Sequence, residues 1–139
     1  MAISFTSQNI QFTLKNKLGL KNWIKGIIEK EKKDVGQINY VFVNDDALLK
    51  MNIAFLNHNT YTDIITFDYC ENKKISGDIF ISIDRVKENA SKFKTSFKDE
   101  LHRVIIHGVL HLCGYKDKTR KDAEIIRKKE NSSLNKRAF

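Results

Sequence analysis

The stretch FKDELHRVIIHGVLHLCGYKD, residues 97–117, decides the fold. Residues 97–113 form the most apolar helical run of the chain, and Gly114 is placed to end it. Glycine takes the left-handed backbone that terminates helices without a side-chain clash. A helix this apolar belongs in the middle of a core, so the segments around it must cover it. Downstream, Thr119 and Asp122 stand in capping-box register and open a last, highly charged helix to about Ser132. Upstream, Asp84 opens a polar helix to about Lys94. Before it, TDIITFDY (62–69) and SGDIFISI (76–83) read as strands joined by a turn through Glu71-Asn72-Lys73-Lys74, hence as a hairpin.

Further out, residues 38–43 are β-branched and aromatic and read as a strand. Asn44-Asp45-Asp46 then supplies caps for a helix carrying Leu48, Leu49, Met51 and Ile53. Leu20, Trp23, Ile24, Ile27 and Ile28 fall at helical spacing within residues 18–32. Residues 3–6 alternate as a strand does. The order β-α-β-α-β-β-α-α-α predicts an α+β fold, a mixed β-sheet covered by helices with the 97–113 helix central. The chain has 139 residues, no proline, no repeat and no Gly/Ser linker, which predicts a single domain over residues 1–139.

Composition narrows the class. With 41% hydrophobic and 30% charged residues, the chain matches an ordinary globular protein, and no run approaches the ~18 apolar residues of a membrane span. The first fourteen residues lack a basic start followed by an apolar run, so a cytoplasmic protein is expected. Cys70 and Cys113 do not make a metal-type C-x-x-C pair, and as reduced thiols both are expected to pack rather than bridge. The net charge of +8 favours a polyanionic partner or, equally, a basic solvated surface.

The chemistry-bearing constellation is His107, His111 and Asp117. Two histidines four apart on a helix share one face, so both imidazoles reach one ion. Gly114 turns the chain back, and Asp117 falls where a third ligand closes the site. This is the spacing of the motif H-E-x-x-H-x-x-G-x-x-H, in which three protein ligands leave a fourth position open on zinc. Two letters differ. Asp117 stands in place of the third histidine, and a carboxylate oxygen is an ordinary zinc ligand. Gly108 stands in place of the glutamate that acts as general base in zinc proteases, which argues against peptide hydrolysis. The alternative for Asp117 is an exposed aspartate paired with Lys116, Lys118 or Arg120.

The segment 107–115, HGVLHLCGY, resembles the HGxLHLxGY signature of the YbeY family of bacterial endoribonucleases and ribosomal RNA maturation factors. Thr62-Asp63-Ile64-Ile65-Thr66-Phe67 and Gly77-Asp78-Ile79-Phe80-Ile81-Ser82 resemble two strands of the same family, in order and spacing. The resemblance implies a small α+β metalloprotein with a zincin-like site, one Zn2+ per chain. It implies cleavage of single-stranded RNA in maturation of ribosomal RNA, including the 16S rRNA 3′ end, and in ribosome quality control, with ribosomal RNA and the ribosome as partners. The sequence departs from the family's G-Y-D-H ending, since Lys116-Asp117 follows Tyr115, and the ligand role passes to Asp117 by position. The loop between Asn57 and Thr62 carries no arginine, so the family's substrate-contacting arginine has no counterpart there; His58 either substitutes for it or, the better reading, is a surface loop histidine without a role. Asp63 and Asp78 fall near the implied cleft, either beside the metal or in turns.

Zinc acidifies water and polarises phosphoryl oxygens, and both effects serve phosphodiester cleavage. Water and the RNA 2′-hydroxyl are equally compatible nucleophiles. From Arg103 onward ten Lys or Arg face four Asp or Glu. Lys116, Lys118, Arg120 and Lys121 cluster beside the expected metal and are the expected RNA contacts, whereas Arg127, Lys128 and Lys129 fit a solvated helix equally well. Two other readings are a non-catalytic ribosome assembly factor with a structural zinc, which needs a fourth protein ligand, and a zinc peptidase, which needs the missing glutamate.

Overall fold

A computed structural model describes residues 2–139. The elements are β1 (Ala2–Ser7), α1 (Lys17–Lys30), β2 (Asp34–Val43), α2 (Asp45–Leu56), β3 (Ile64–Asp68), β4 (Lys74–Ser82), α3 (Ile83–Lys92), α4 (Phe97–Leu112) and α5 (Arg120–Asn135). The order matches the α+β expectation element by element. The four strands form one sheet in the order β1-β2-β4-β3. β1, β2 and β4 run parallel, and β3 pairs antiparallel with β4 as the hairpin predicted.

Alternation along the strands assigns the two faces of the sheet. Ile38, Tyr40, Phe42, Ile79 and Ile81 belong to the main core, which α1 and α4 close together with Leu20, Ile24, Val104, Ile105 and Val109. On the opposite face, Val41, Val43 and Ile65 pack with Leu48 of α2, and Phe67 and Phe80 lie against them. α4 is therefore the central helix, with the sheet on one side and α3 and α5 on others. The Tyr40 hydroxyl, fully buried, donates to the Ile105 carbonyl at 2.8 Å and ties strand to helix.

Caps define the helix starts. The side chains of Asn44, Ser82, Ser96 and Thr119 accept from the backbone N–H three residues on. α3 thus begins one residue before Asp84, with Ser82 as its cap. β2 begins four residues before the stretch read as a strand. Gly36 and a register shift between Val35 and Ile38 interrupt the alternation that marks a strand in sequence.

Candidate metal centre

α4 ends as its sequence requires. Gly114 takes φ +111°, its N–H donates to the His111 carbonyl at 3.1 Å, and the Tyr115 N–H donates to the Leu110 carbonyl at 3.1 Å. This paired closure satisfies the last carbonyls of the helix and turns the chain back over its own end. The turn delivers Asp117 to His107, with Asp117 Oδ2 3.4 Å from His107 Nε2. His111 sits one turn further along α4, exposed, its ring nearly parallel to that of His107 at 11° with centroids 6.4 Å apart.

Two of the three expected ligands are therefore in contact, and the third is adjacent. Among the described residues no three His, Cys, Asp or Glu side chains yet converge on one point. The spacing of His107 and Asp117 nevertheless suits a shared zinc ion. Ligand atoms about 2.0–2.1 Å from a tetrahedral ion lie about 3.3 Å from each other, close to the 3.4 Å between Nε2 and Oδ2. His111 is an exposed side chain at the i, i+4 position, where histidine pairs share an ion.

The other ring nitrogen of His107 is already engaged. Its Nδ1 lies 2.6 Å from Oε2 of Glu130, a buried residue of α5. Burial alone would lower the imidazole pKa; the hydrogen bond to Glu130 and the charges of Glu130, Asp117 and Asp63 outweigh it and raise it. Sequence reading did not single out Glu130, because nothing in residues 120–135 marks one glutamate among many charges. Its period was the available signal: Ile126, Glu130 and Ser133 are the buried positions of α5, so one carboxylate stands on an inward stripe.

Two further acids, buried Glu100 and half-buried Asp63, add to the charges around the centre. Glu100 of α4, almost fully buried, lies 3.7 Å from Arg103, and burial raises its pKa. Asp63, in the segment leading into β3, is raised first by burial and then by the carboxylates of Glu130 and Asp117, against the opposing effect of His107. Asp63 thus belongs to the electrostatic surroundings of His107. Asp78 does not: it accepts from Asn39 Nδ2 at 3.0 Å, and its neighbours Gly77 and Ile79 in β4 are the buried ones. Alternation turns it to the sheet face away from α4, as part of a polar ladder with Asn39 and Ser4.

The structure also explains Gly108. A Cβ there would stand 3.0 Å from Ile64 Cδ1 and from Ile79 Cγ2. The position faces the hairpin at close approach, so a carboxylate at 108 would enter the core. Tyr115 packs rather than projects: its hydroxyl donates to Glu31 at 2.7 Å, and Lys129 reaches the same carboxylate at 3.2 Å. Burial pushes the Cys113 thiol up to about 12, and both cysteines are free.

Lys116, Lys118, Arg120 and Lys121 are all exposed beside Asp117. Arg120 makes one surface pair with Glu124 at 3.5 Å, which is worth little in water. Other cations of the basic stretch are used internally: Arg103 with Glu130, Arg137 with Asp99, and Lys129 with Glu31. Among the described residues, no helix is long and apolar enough to cross a membrane.

Comparison with known proteins gives one consistent answer. A family model described as Endoribonuclease YbeY matches residues 2–138. The Endoribonuclease YbeY of Cytophaga hutchinsonii is 52% identical over 138 residues, covering 99% of this chain and 96% of that protein. The protein of the same name from Parabacteroides distasonis is 48% identical over 134 residues, covering 96% and 94%. Among solved structures, the solution structure of TM1509 from Thermotoga maritima aligns with a TM-score of 0.68 at 29% identity, covering 96% of this chain and 87% of that one.

Proposed function

The chain belongs to the YbeY endoribonuclease family, and from that premise we propose that it is a zinc-dependent endoribonuclease acting on single-stranded RNA. His107, His111 and Asp117 hold the ion. Its substrate is ribosomal RNA, at the 16S 3′ end and in ribosome quality control, and it works in the cytoplasm. The observation that carries the metal assignment is the 3.4 Å approach of Asp117 Oδ2 to His107 Nε2, on a ring whose other nitrogen is already bound.

A bound zinc ion supplies Lewis-acid polarisation of a phosphoryl oxygen and acidification of water. The chain's own residues supply the rest. The closed end of α4 holds Asp117 against His107, so two of the three proposed donors already face each other. Lys116, Lys118, Arg120 and Lys121 take the phosphates that flank the scissile bond, as exposed cations without buried partners do. The packing at Gly108 weighs against peptidase chemistry, since a glutamate there would crowd the Ile64 and Ile79 side chains at 3.0 Å.

The test is metal content of the purified protein, with RNA cleavage assayed before and after chelation. Wild type should carry about one zinc per chain, lost in His111→Ala and Asp117→Ala, and should cut single-stranded RNA only with metal restored. Zinc retained in Asp117→Ala would move the third ligand elsewhere. Wild type that binds no zinc when it is supplied would sink the catalytic reading.

A further inference from the structure

We propose that Glu130 is the positioning residue of the metal centre, setting the His107 ring so that Nε2 is the nitrogen presented to the ion. The proposal rests on the metal-centre reading above. Glu130 is 3% exposed and lies on the inward stripe of α5, where Ile126 and Ser133 are its buried neighbours. A carboxylate at such a position needs a partner for each oxygen. Oε2 lies 2.6 Å from His107 Nδ1, a short, charge-assisted distance. Oε1 accepts from Arg103 Nη1 at 3.3 Å, with Arg127 Nε at 3.7 Å. Arg103 is itself held, by Asn131 Oδ1 at 3.1 Å and Glu100 Oε1 at 3.7 Å.

The shorter of the two carboxylate contacts, 2.6 Å at Nδ1 against 3.4 Å to Asp117 at Nε2, decides where the proton of the neutral ring sits. An ionised carboxylate only accepts and a guanidinium only donates. Glu130, pinned by Arg103, therefore requires the proton of the neutral His107 ring on Nδ1. The lone pair is left on Nε2, the nitrogen that faces Asp117. Two elements thus hold one ring from opposite sides, the α5 carboxylate at Nδ1 and the metal loop at Nε2. A carboxylate behind a ligating histidine fixes tautomer and ring orientation, and its loss costs about 10–100-fold in metal affinity.

Glu130→Gln separates this role from simple packing. The amide keeps the shape, but Arg103 still demands an oxygen. The amide NH2 then turns toward Nδ1 and drives the ring proton to Nε2, where it blocks the ion. The first readout is the tautomer of neutral His107 in the metal-free protein. Long-range nitrogen–proton NMR correlations report it on the alkaline side of the ring's titration, with the signal assigned by His107→Gln. Wild type should carry Nδ1–H, and Glu130→Gln should shift towards Nε2–H. Wild type in the Nε2–H form overturns the proposal, whatever the variant does. The second readout is Co2+ binding followed by its visible absorption. Affinity should fall about 10–100-fold in Glu130→Gln, with little change in Lys128→Gln, an exposed residue of α5 outside the Glu130 contacts. Equal Co2+ affinity in wild type and Glu130→Gln would overturn it too. If wild type binds no Co2+, the metal reading fails by itself and the tautomer still decides the role of Glu130.

Discussion

Gly77 of β4 and Leu112 of α4 are packed so closely that a Cβ on the glycine would stand 3.1 Å from Leu112 Cδ2. The same Cβ would press into the Phe67 carbonyl of β3. One bare position therefore lets the hairpin and the last turn of α4 share space, and the helix end holding His111 is seated by it. Gly77→Ala should lower stability by about 1–3 kcal/mol, as overpacking of a tight site does. The measurement is the urea midpoint with the slope held constant; an unchanged midpoint would show that the strands absorb the methyl.

Beyond its removal, the proposed third ligand is tested by its chemistry. Asp117→Asn keeps the size but weakens the donor, whereas Asp117→His supplies a neutral imidazole from the same loop. Zinc affinity should drop in the first by more than the ~10–100-fold of an outer-shell partner. The second should retain zinc, as in three-histidine sites. Competition with a coloured chelator gives both values, and equal affinity across wild type and Asp117→Asn would remove Asp117 from the metal.

RNA binding should be steeply salt-dependent. Each phosphate contact to a single strand contributes about 0.7 to the slope of log affinity against log salt. Replacing Lys116, Lys118, Arg120 and Lys121 with Gln together should flatten that slope by up to about 3. Arg103 is internal, bound to Glu130, so it is expected to contribute to folding rather than to the slope. A slope unchanged in the fourfold variant would place the RNA on another face.

His102 makes stability fall in mild acid. It is buried between Trp23 and Phe139, and its Nδ1 lies 2.8 Å from Arg137 Nη1, a group that only donates. Burial, then the charges of Arg137 and Lys98, lower its pKa from 6.5 to about 4. The unfolded chain therefore binds one more proton than the folded one between those values. The contribution is whole above the unfolded value and is lost as pH falls towards about 4, at no more than about 1.4 kcal/mol per pH unit. Glu100 and Asp63, with raised pKa values, act in the opposite sense. The test is thus a difference: urea unfolding at several pH values for wild type and His102→Gln. Parallel curves for the two would contradict it.

The sequence alone determined whatever is local. Helix spacing, the caps at Asn44 and Thr119, the stop at Gly114, the hairpin and the histidine pair all depend on residues within a few positions of each other. Local sterics and hydrogen bonds decide them without help from the rest of the chain. The motif order then carried the family, because those local signals fall in one sequence. The tertiary structure decided what depends on distant segments meeting. It set β2 between β1 and β4 and gave β2 a start hidden by a bulge. It turned Asp78 away from the site and left Asp63 among the charges that act on His107. It also brought Glu130 against His107, 23 residues apart in sequence. α5 is dense in charge, and sequence shows charge without showing which side chain the packing of one helix on another will bury. Only the crossing of α5 over α4 selects Glu130, because burial without water forces each of its oxygens to find a named donor.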